Sequence, residues 1–352
     1  MRTPLDVVVV GAGQAGLAIG WHLKRVGARF AILDGAPEVG HSWRTRWDSL
    51  RLFTQARYDG LPGLPVPGDP DHHPGKDEVA DYLRAYASKF DLPVRTGMPV
   101  SRLARVGDRF VVETPAETFE AADVVVATGA FQVPFVPALA ADLAGDVVQL
   151  HSSEYRNASQ LPPGPVLVVG GGNSGLQIAL ELVATRPVTL AMGDKAPMLP
   201  QTVLGKDVFW WLTRAGLITR SAESRLGRRM RANGELVIGT RAADLAARGV
   251  DFCGRVTSAA GRRVGTADGR ELTPATVVWA TGFRSDWSWV DVPGAVVDGQ
   301  VVHQRGVTPV PGLCFLGLPW QHSRGSALLG FVRDDAEFIA EHLRSRTRVT
   351  VA

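Results

Sequence analysis

Two sets of three glycines are spaced to work on a phosphate. Gly11, Gly13 and Gly16 follow the apolar run Val7 to Val10, and Gly170, Gly172 and Gly175 follow Val166 to Val169. In each set the first glycine permits a tight turn. The second lets the main chain approach a pyrophosphate, and the third lets the next helix pack against the strand. The N-terminus of that helix then offers unpaired N–H groups and a partial positive charge to the anion. Asp34 stands 23 residues after Gly11, at the end of the run "FAILD", where a carboxylate would accept hydrogen bonds from ribose hydroxyls. The position 23 residues after Gly170 is Gly193, with Asp194 and Lys195 next. An acid there suits the free ribose diol of NADH and a cation suits the 2′-phosphate of NADPH, so the adjacent pair leaves both open.

The elements that must hold these loops repeat with them. "VVVVGAGQAGLAIGWHL" and "VLVVGGGNSGLQIALEL" align without a gap at an offset of 159 residues. "ADVVVATGAF" (122–131) and "ATVVWATGFR" (275–284) align at an offset of 153. Each copy of the second pair is an apolar strand ending in Ala-Thr-Gly, at 127–129 and 280–282. A glycine there lets the chain turn close to a ligand at the carboxyl end of a strand. The pattern predicts an α/β fold with two dinucleotide-binding units. Helical spacing puts Leu17, Ile19, Leu23 and Val26 near one face of the first loop helix. Near the end, "LCFLG" reads as a short strand, Ser326 as an N-cap, and Ala327 to Leu343 as a helix. One helix cannot form a domain alone, so it should return to the first unit. The expected division is 1–157 with 285–352 as one domain, and 158–284 as an inserted second.

Composition bounds the rest. The chain has 352 residues, 45% of them hydrophobic, with 39 Gly and 23 Pro, which suits a loop-rich α/β protein with two cores. The net charge of +3 comes with no run of five like charges, so no nucleic-acid partner is expected. No stretch of 18 apolar residues spans a membrane, no membrane partner is expected, and the N-terminus lacks a cleavable apolar leader. Two cysteines, Cys253 and Cys314, form no C-x-x-C pair. A cytoplasmic, reducing location is the expectation. His72 and His73 lack companion ligands at metal spacing, so no metal is expected and "PGDPDHHPGKDE" reads as a polar loop before a helix. The segment 199–239 carries the apolar knot Phe209, Trp210, Trp211 and Leu212. Packing on the second unit or a homodimer contact is the favoured role, ahead of a lid or a docking patch.

These residues resemble the two-dinucleotide-binding-domain flavoproteins, and among them the flavin-containing monooxygenases. The resemblance covers nearly the whole chain, through both glycine loops, Asp34, "GHSW" (40–43), "WDSLRLFT" (47–54), "KDEVADYLRAYA" (76–87) and both Ala-Thr-Gly strands. The family motif F-x-G-x-x-x-H-x-x-x-F/Y is matched in kind by Gly145, His151 and Tyr155. Leu143 replaces the Phe, and five residues rather than three separate Gly145 from His151. The compact bacterial branch of the group is the nearest likeness.

The resemblance implies FAD in the first loop and NADPH, with NADH tolerated, in the second. Gly11, Gly13, Gln14, Ala15 and Gly16 would face the FAD pyrophosphate. Asp34 and Gly35 would meet the adenosine ribose, and Val100 would flank the adenine. Trp43, Leu50 and Thr54 would line the flavin side, with core packing an equal reading for Trp43 and the favoured one for Trp47. Ala127, Thr128 and Gly129 complete the first set. A helix starting near Ser326, Ala327 and Leu328 would aim its N-terminus at the flavin N1–C2 edge, where reduced flavin is anionic. Gly172, Asn173, Ser174, Gly175, Lys195, Thr281 and Gly282 form the second set. The implied activity is monooxygenation. Nicotinamide reduces FAD, a C4a-(hydro)peroxyflavin forms with O2, and a small molecule with a soft S or N, or a ketone as in a Baeyer–Villiger reaction, is oxygenated. The rivals are a flavin reductase serving an external acceptor and a slow redox-sensing flavoprotein.

Overall fold

In the computed structural model the apolar runs become the centres of two sheets; residues 5–193, 198–234 and 236–350 are described, 347–350 by backbone alone. Four successive valines, Val7 to Val10, are buried on both faces of strand Leu5–Val10. That is the mark of a central parallel strand covered on both sides. It pairs in parallel with Phe30–Leu33 on one side and Thr118–Val126 on the other. Val94–Arg95 and Leu313–Phe315 extend this sheet in parallel. The second sheet is wholly parallel, in the order Asp251–Cys253, Val188–Ala191, Val166–Val169, Thr276–Trp279, Val148–His151. Its edge strand Val148–His151 comes from chain before residue 158. After residue 285, Val290–Asp291 and Leu313–Phe315 pair back into the first sheet.

The repeat extends further than its letters. In the first unit, Arg102–Val106, Arg109–Glu113 and Thr118–Val126 form an antiparallel ribbon before the closing turn. In the second, Val256–Ala260, Arg263–Thr266 and Glu271–Leu272 do the same. The helices Gln14–Arg25 and Asn173–Leu182 follow the two glycine loops, and Lys76–Lys89 follows the polar loop. In the first of them Leu17, Ile19 and Leu23 are buried, while Val26 lies just past the helix and is 54% exposed.

The C-terminal helix differs from expectation. It runs Arg333–Thr350, not from Ala327. Residues Arg324–Ala327 form a single 3-10 turn, capped by Ser323, whose backbone N–H donates back to Ser326 Oγ at 3.0 Å. Leu328 is extended (φ −82°, ψ 148°) and ends the turn. Gly330 then passes so close to the backbone of residues 58–59 that a Cβ would lie 2.0 Å from the Tyr58 carbonyl oxygen. Apolar periodicity cannot register that crossing.

Candidate functional site

The two loops share one geometry. Gly11 and Gly170 have φ of +108° and +128°, a region that disfavours side chains. A Cβ on either would lie 2.5 Å from the Ala127 carbonyl oxygen or 2.2 Å from that of Ala280. The Ala-Thr-Gly strands therefore press directly on the glycine turns. A Cβ on Gly16 or Gly175 would lie 1.8 Å or 2.0 Å from the carbonyl oxygen of Gly11 or Gly170. Gly13 and Gly172, the helix N-caps, have no protein atom within 4 Å of such a Cβ, and no side chain caps either helix. Open space in front of uncapped N–H groups is the cradle that a pyrophosphate fills. Both loops fit a dinucleotide.

At the ribose end they part. Asp34 Oδ2 accepts from Ala12 N–H at 2.6 Å and Oδ1 from Ala36 N–H at 2.8 Å. These bonds fix the carboxylate beside the first loop. Gly35 packs on Pro99, 3.3 Å from an ideal Cβ, which places the Pro99–Val100 backbone across from it. In the second unit the position of Asp34 is taken by Gly193. A Cβ there would lie 3.0 Å from Arg255 Nη2 and 3.3 Å from Nε, so a guanidinium lies against the glycine. Arg255 follows strand Asp251–Cys253 by two residues, and no linear motif marked it. Lys195 and Asp194 lie outside the described residues.

Gln14 brings three of the expected residues together. Trp43 Nε1 donates to Gln14 Oε1 at 3.3 Å, and Gln14 Nε2 donates to the Ala327 carbonyl at 3.3 Å. Trp43 is half-buried, and Trp47 is core at 4% exposure. Ser326 is buried and accepts from His322 N–H and Ser323 N–H, both at 3.0 Å. The helix N-terminus expected at Ser326 is thus one 3-10 turn. Leu50 and Thr54 are buried, and Thr54 Oγ1 donates to Asp59 Oδ1 at 2.6 Å. Asp59 is wholly buried, and its Oδ2 has no hydrogen-bond partner. Burial pushes this carboxyl up to about 7, against smaller lowering effects of Thr54 and His72.

The units meet at their closing turns. Phe283–Arg284 pairs with Val133–Pro134, Thr281 Oγ1 donates to the Phe135 carbonyl, and Gln132 Nε2 reaches Thr128 Oγ1 and the Gly129 carbonyl at 3.1 and 2.9 Å. His151 Nε2 sits 2.9 Å from the Gly282 carbonyl, and burial lowers its pKa. Asn173 Oδ1 accepts from Ile238 N–H at 3.1 Å, so it serves the inserted segment. Ser174 is half-buried at the helix start.

The segment 199–239 packs on the second unit, as expected, through Val237 and the Ile238 N–H, and also across to the first unit, which the expectation did not include. Phe209 stacks on Phe53 at 5.8 Å and touches Tyr58 and Phe331. Gln201 Nε2 donates to the Phe53 carbonyl at 3.1 Å and to Asp207 Oδ2 at 2.6 Å. Phe209 is the member of the knot that seals the two units together, while Trp211 is exposed. His72 meets Glu78 at 2.9 Å, His73 meets the Thr54 carbonyl at 3.2 Å, and no group of three His, Cys, Asp or Glu among the described residues could hold a metal. Among the described residues no helix is long and apolar enough to cross a membrane.

Comparisons with known proteins agree with this geometry. The family model described as "Pyridine nucleotide-disulphide oxidoreductase" matches residues 8–201, more than half of the chain. A Geobacillus kaustophilus protein described as "Uncharacterized oxidoreductase CzcO-like" is 45% identical, over 96% of this chain and 98% of its own. "Probable indole-3-pyruvate monooxygenase YUCCA7" of Arabidopsis thaliana is 31% identical, over 80% of this chain and 75% of its own. The solved flavin-containing monooxygenase from Stenotrophomonas maltophilia superposes with a TM-score of 0.82 at 29% identity, over 98% of this chain and 100% of that one. The chain belongs to the pyridine nucleotide-disulphide oxidoreductase family and is a FAD-dependent oxidoreductase of the flavin-monooxygenase type.

Proposed function

We propose that the protein is an NADPH-dependent monooxygenase that inserts one oxygen atom of O2 into a small molecule bearing a soft S or N, or into a ketone. The observation that carries the reading is the doubled cradle, one glycine loop for FAD and one for the nicotinamide nucleotide, joined at their closing turns. When bound, the flavin supplies two-electron chemistry with the nicotinamide and with O2. The N-terminus of helix Gln14–Arg25 and Asp34 would hold the flavin nucleotide. Phe53, Tyr58, Phe209 and Phe331 form an apolar wall next to Thr54, where the flavin side would lie. Such a wall would exclude water from the reacting atoms.

The second exit for electrons, a dithiol, has no support. The chain has two cysteines. Both are buried, and burial pushes Cys253 up to about 11 and Cys314 up to about 12. Neither is a thiolate nucleophile near neutrality. The preference for NADPH over NADH rests on Arg255 standing against Gly193, where the first unit has an acid. A guanidinium pairs well with a phosphate and an acid with a diol.

The test is a coupled assay of FAD-loaded protein with NADPH and a panel of sulfides, amines and cyclic ketones. The expected result is one oxygenated product per NADPH for at least one member. Hydrogen peroxide equal to the NADPH consumed, for every member, would sink the monooxygenase reading. Faster turnover under argon with an external acceptor would replace it with a reductase.

A further inference from the structure

Beside the buried Leu176, Ile178, Ala179 and Leu182, helix Asn173–Leu182 carries a polar face. Asn173, Gln177 and Glu181 are spaced four apart, so they stack along a single face, about 6 Å from one to the next. Asn173 reaches the segment 199–239, Gln177 and Glu181 both reach the segment 49–54, and Glu181 also reaches residues 155–158. Asn173 holds the inserted segment through Ile238 N–H. Gln177 holds both backbone groups of Arg51: its Oε1 accepts from Arg51 N–H at 3.3 Å and its Nε2 donates to the Arg51 carbonyl at 3.0 Å. Glu181 accepts from the Ser49 hydroxyl, from Tyr155 OH at 2.7 Å and from Ala158 N–H at 3.2 Å.

The Gln177 clasp acts like one rung of a β-ladder between units. It engages main chain, so it positions the segment whatever side chain stands at Arg51. The neighbours Leu50 and Leu52 are both buried, so this segment cannot shift without disturbing the core. Five residues before Gln177, the same helix begins at the uncapped N-cap Gly172, which faces the second cradle. A rigid helix thus has one end at the second nucleotide and its flank on the segment 49–54.

We propose that Gln177 is a positioning residue that couples nicotinamide-nucleotide binding to the geometry of the 49–54 segment, and through it to FAD binding. The inference rests on the two-nucleotide reading above. Coupling of this kind is reciprocal: each nucleotide changes the affinity for the other by the same factor.

The experiment measures FAD affinity of the apoprotein with and without saturating NADP+, and NADP+ affinity with and without FAD. It uses wild type, Gln177→Ala, and Gln177→Glu, which keeps the acceptor and loses the donor. Wild type is expected to show a linkage of about 10-fold, falling below about 2-fold in Gln177→Ala, with an intermediate value in Gln177→Glu. Binding of 2′,5′-ADP to the FAD-free proteins should be unchanged. Hydrogen exchange at the Arg51 amide should quicken in Gln177→Ala while the amides of Val7 to Val10 keep their protection, which separates a lost clasp from a lost fold. Wild-type linkage in Gln177→Ala, or no linkage in wild type that binds both nucleotides, overturns the inference alone. Failure of wild type to bind either nucleotide overturns the two-nucleotide reading and this inference with it.

Discussion

The two glycine loops are copies in backbone and opposites at the ribose end. Both pinch a positive-φ glycine against an alanine carbonyl, and both leave the middle glycine facing open space. One then ends in Asp34, tied to Ala12 and Ala36, and the other in Gly193 under the Arg255 guanidinium. The difference separates the two sites in chemistry. A carboxylate locked by two N–H groups suits a ribose diol held permanently. On the reading proposed above, the guanidinium would meet a phosphate that arrives and leaves.

The comparison breaks first at the third glycines. Gly16→Val and Gly175→Val each drive a side chain into a backbone carbonyl. Gly16→Val should yield protein without FAD. Gly175→Val should keep FAD at full occupancy by absorbance and lose NADPH binding. Equal FAD loss in both variants would show that the loops are not separate sites. Gly13→Ala and Gly172→Ala sharpen the test. Their methyls meet no protein atom within 4 Å, so unfolding midpoints should hold while FAD and NADPH affinity fall respectively.

A second difference is pH. Asp59 sits on the first unit's side of the apolar seal, with a folded pKa of about 7 against a reference of 3.8. The folded state keeps this proton where the unfolded state has lost it. Stability should therefore fall as pH rises from about 4 to about 7 and be flat in this respect above that, by up to about 4 kcal/mol. Asp59→Asn should flatten that part of a urea-unfolding profile. Asp123 and Asp334, also raised by burial, leave a residual slope. An unchanged profile in Asp59→Asn would show that the Asp59 proton is not linked to folding.

Smaller effects probe the ribose end. Arg255→Ala should raise the Kd for NADPH about 10- to 100-fold, the worth of a charge-assisted hydrogen bond, and leave NADH nearly unchanged. Lys195→Ala made in parallel tests the neighbouring cation. If Lys195→Ala costs NADPH its affinity and Arg255→Ala does not, the reader of the phosphate is Lys195. Gly193→Asp should move preference toward NADH by about 10-fold or less, since it adds an acid without removing the guanidinium.

Much of this molecule was legible in its letters. Both glycine loops, both closing strands and Asp34 follow from local backbone demands, since a positive φ or a forbidden Cβ dictates glycine whatever surrounds it. Alternation and apolar runs likewise marked the central strands. The C-terminal helix was misplaced by six residues at its start, because Ser326 closes a 3-10 turn and Gly330 crosses residues 58–59. The apolar knot at Phe209 was legible as apolar and not as a seal, because hydrophobicity carries no address. Arg255 against Gly193 and Gln177 on Arg51 join residues 62 and 126 positions apart. The sequence by itself determined that two dinucleotide cradles exist, since each is a short stretch with its own steric logic. The tertiary structure alone decided which charge faces the second cradle and what clasps one unit to the other, because those contacts come from segments that meet only when the sheets have formed.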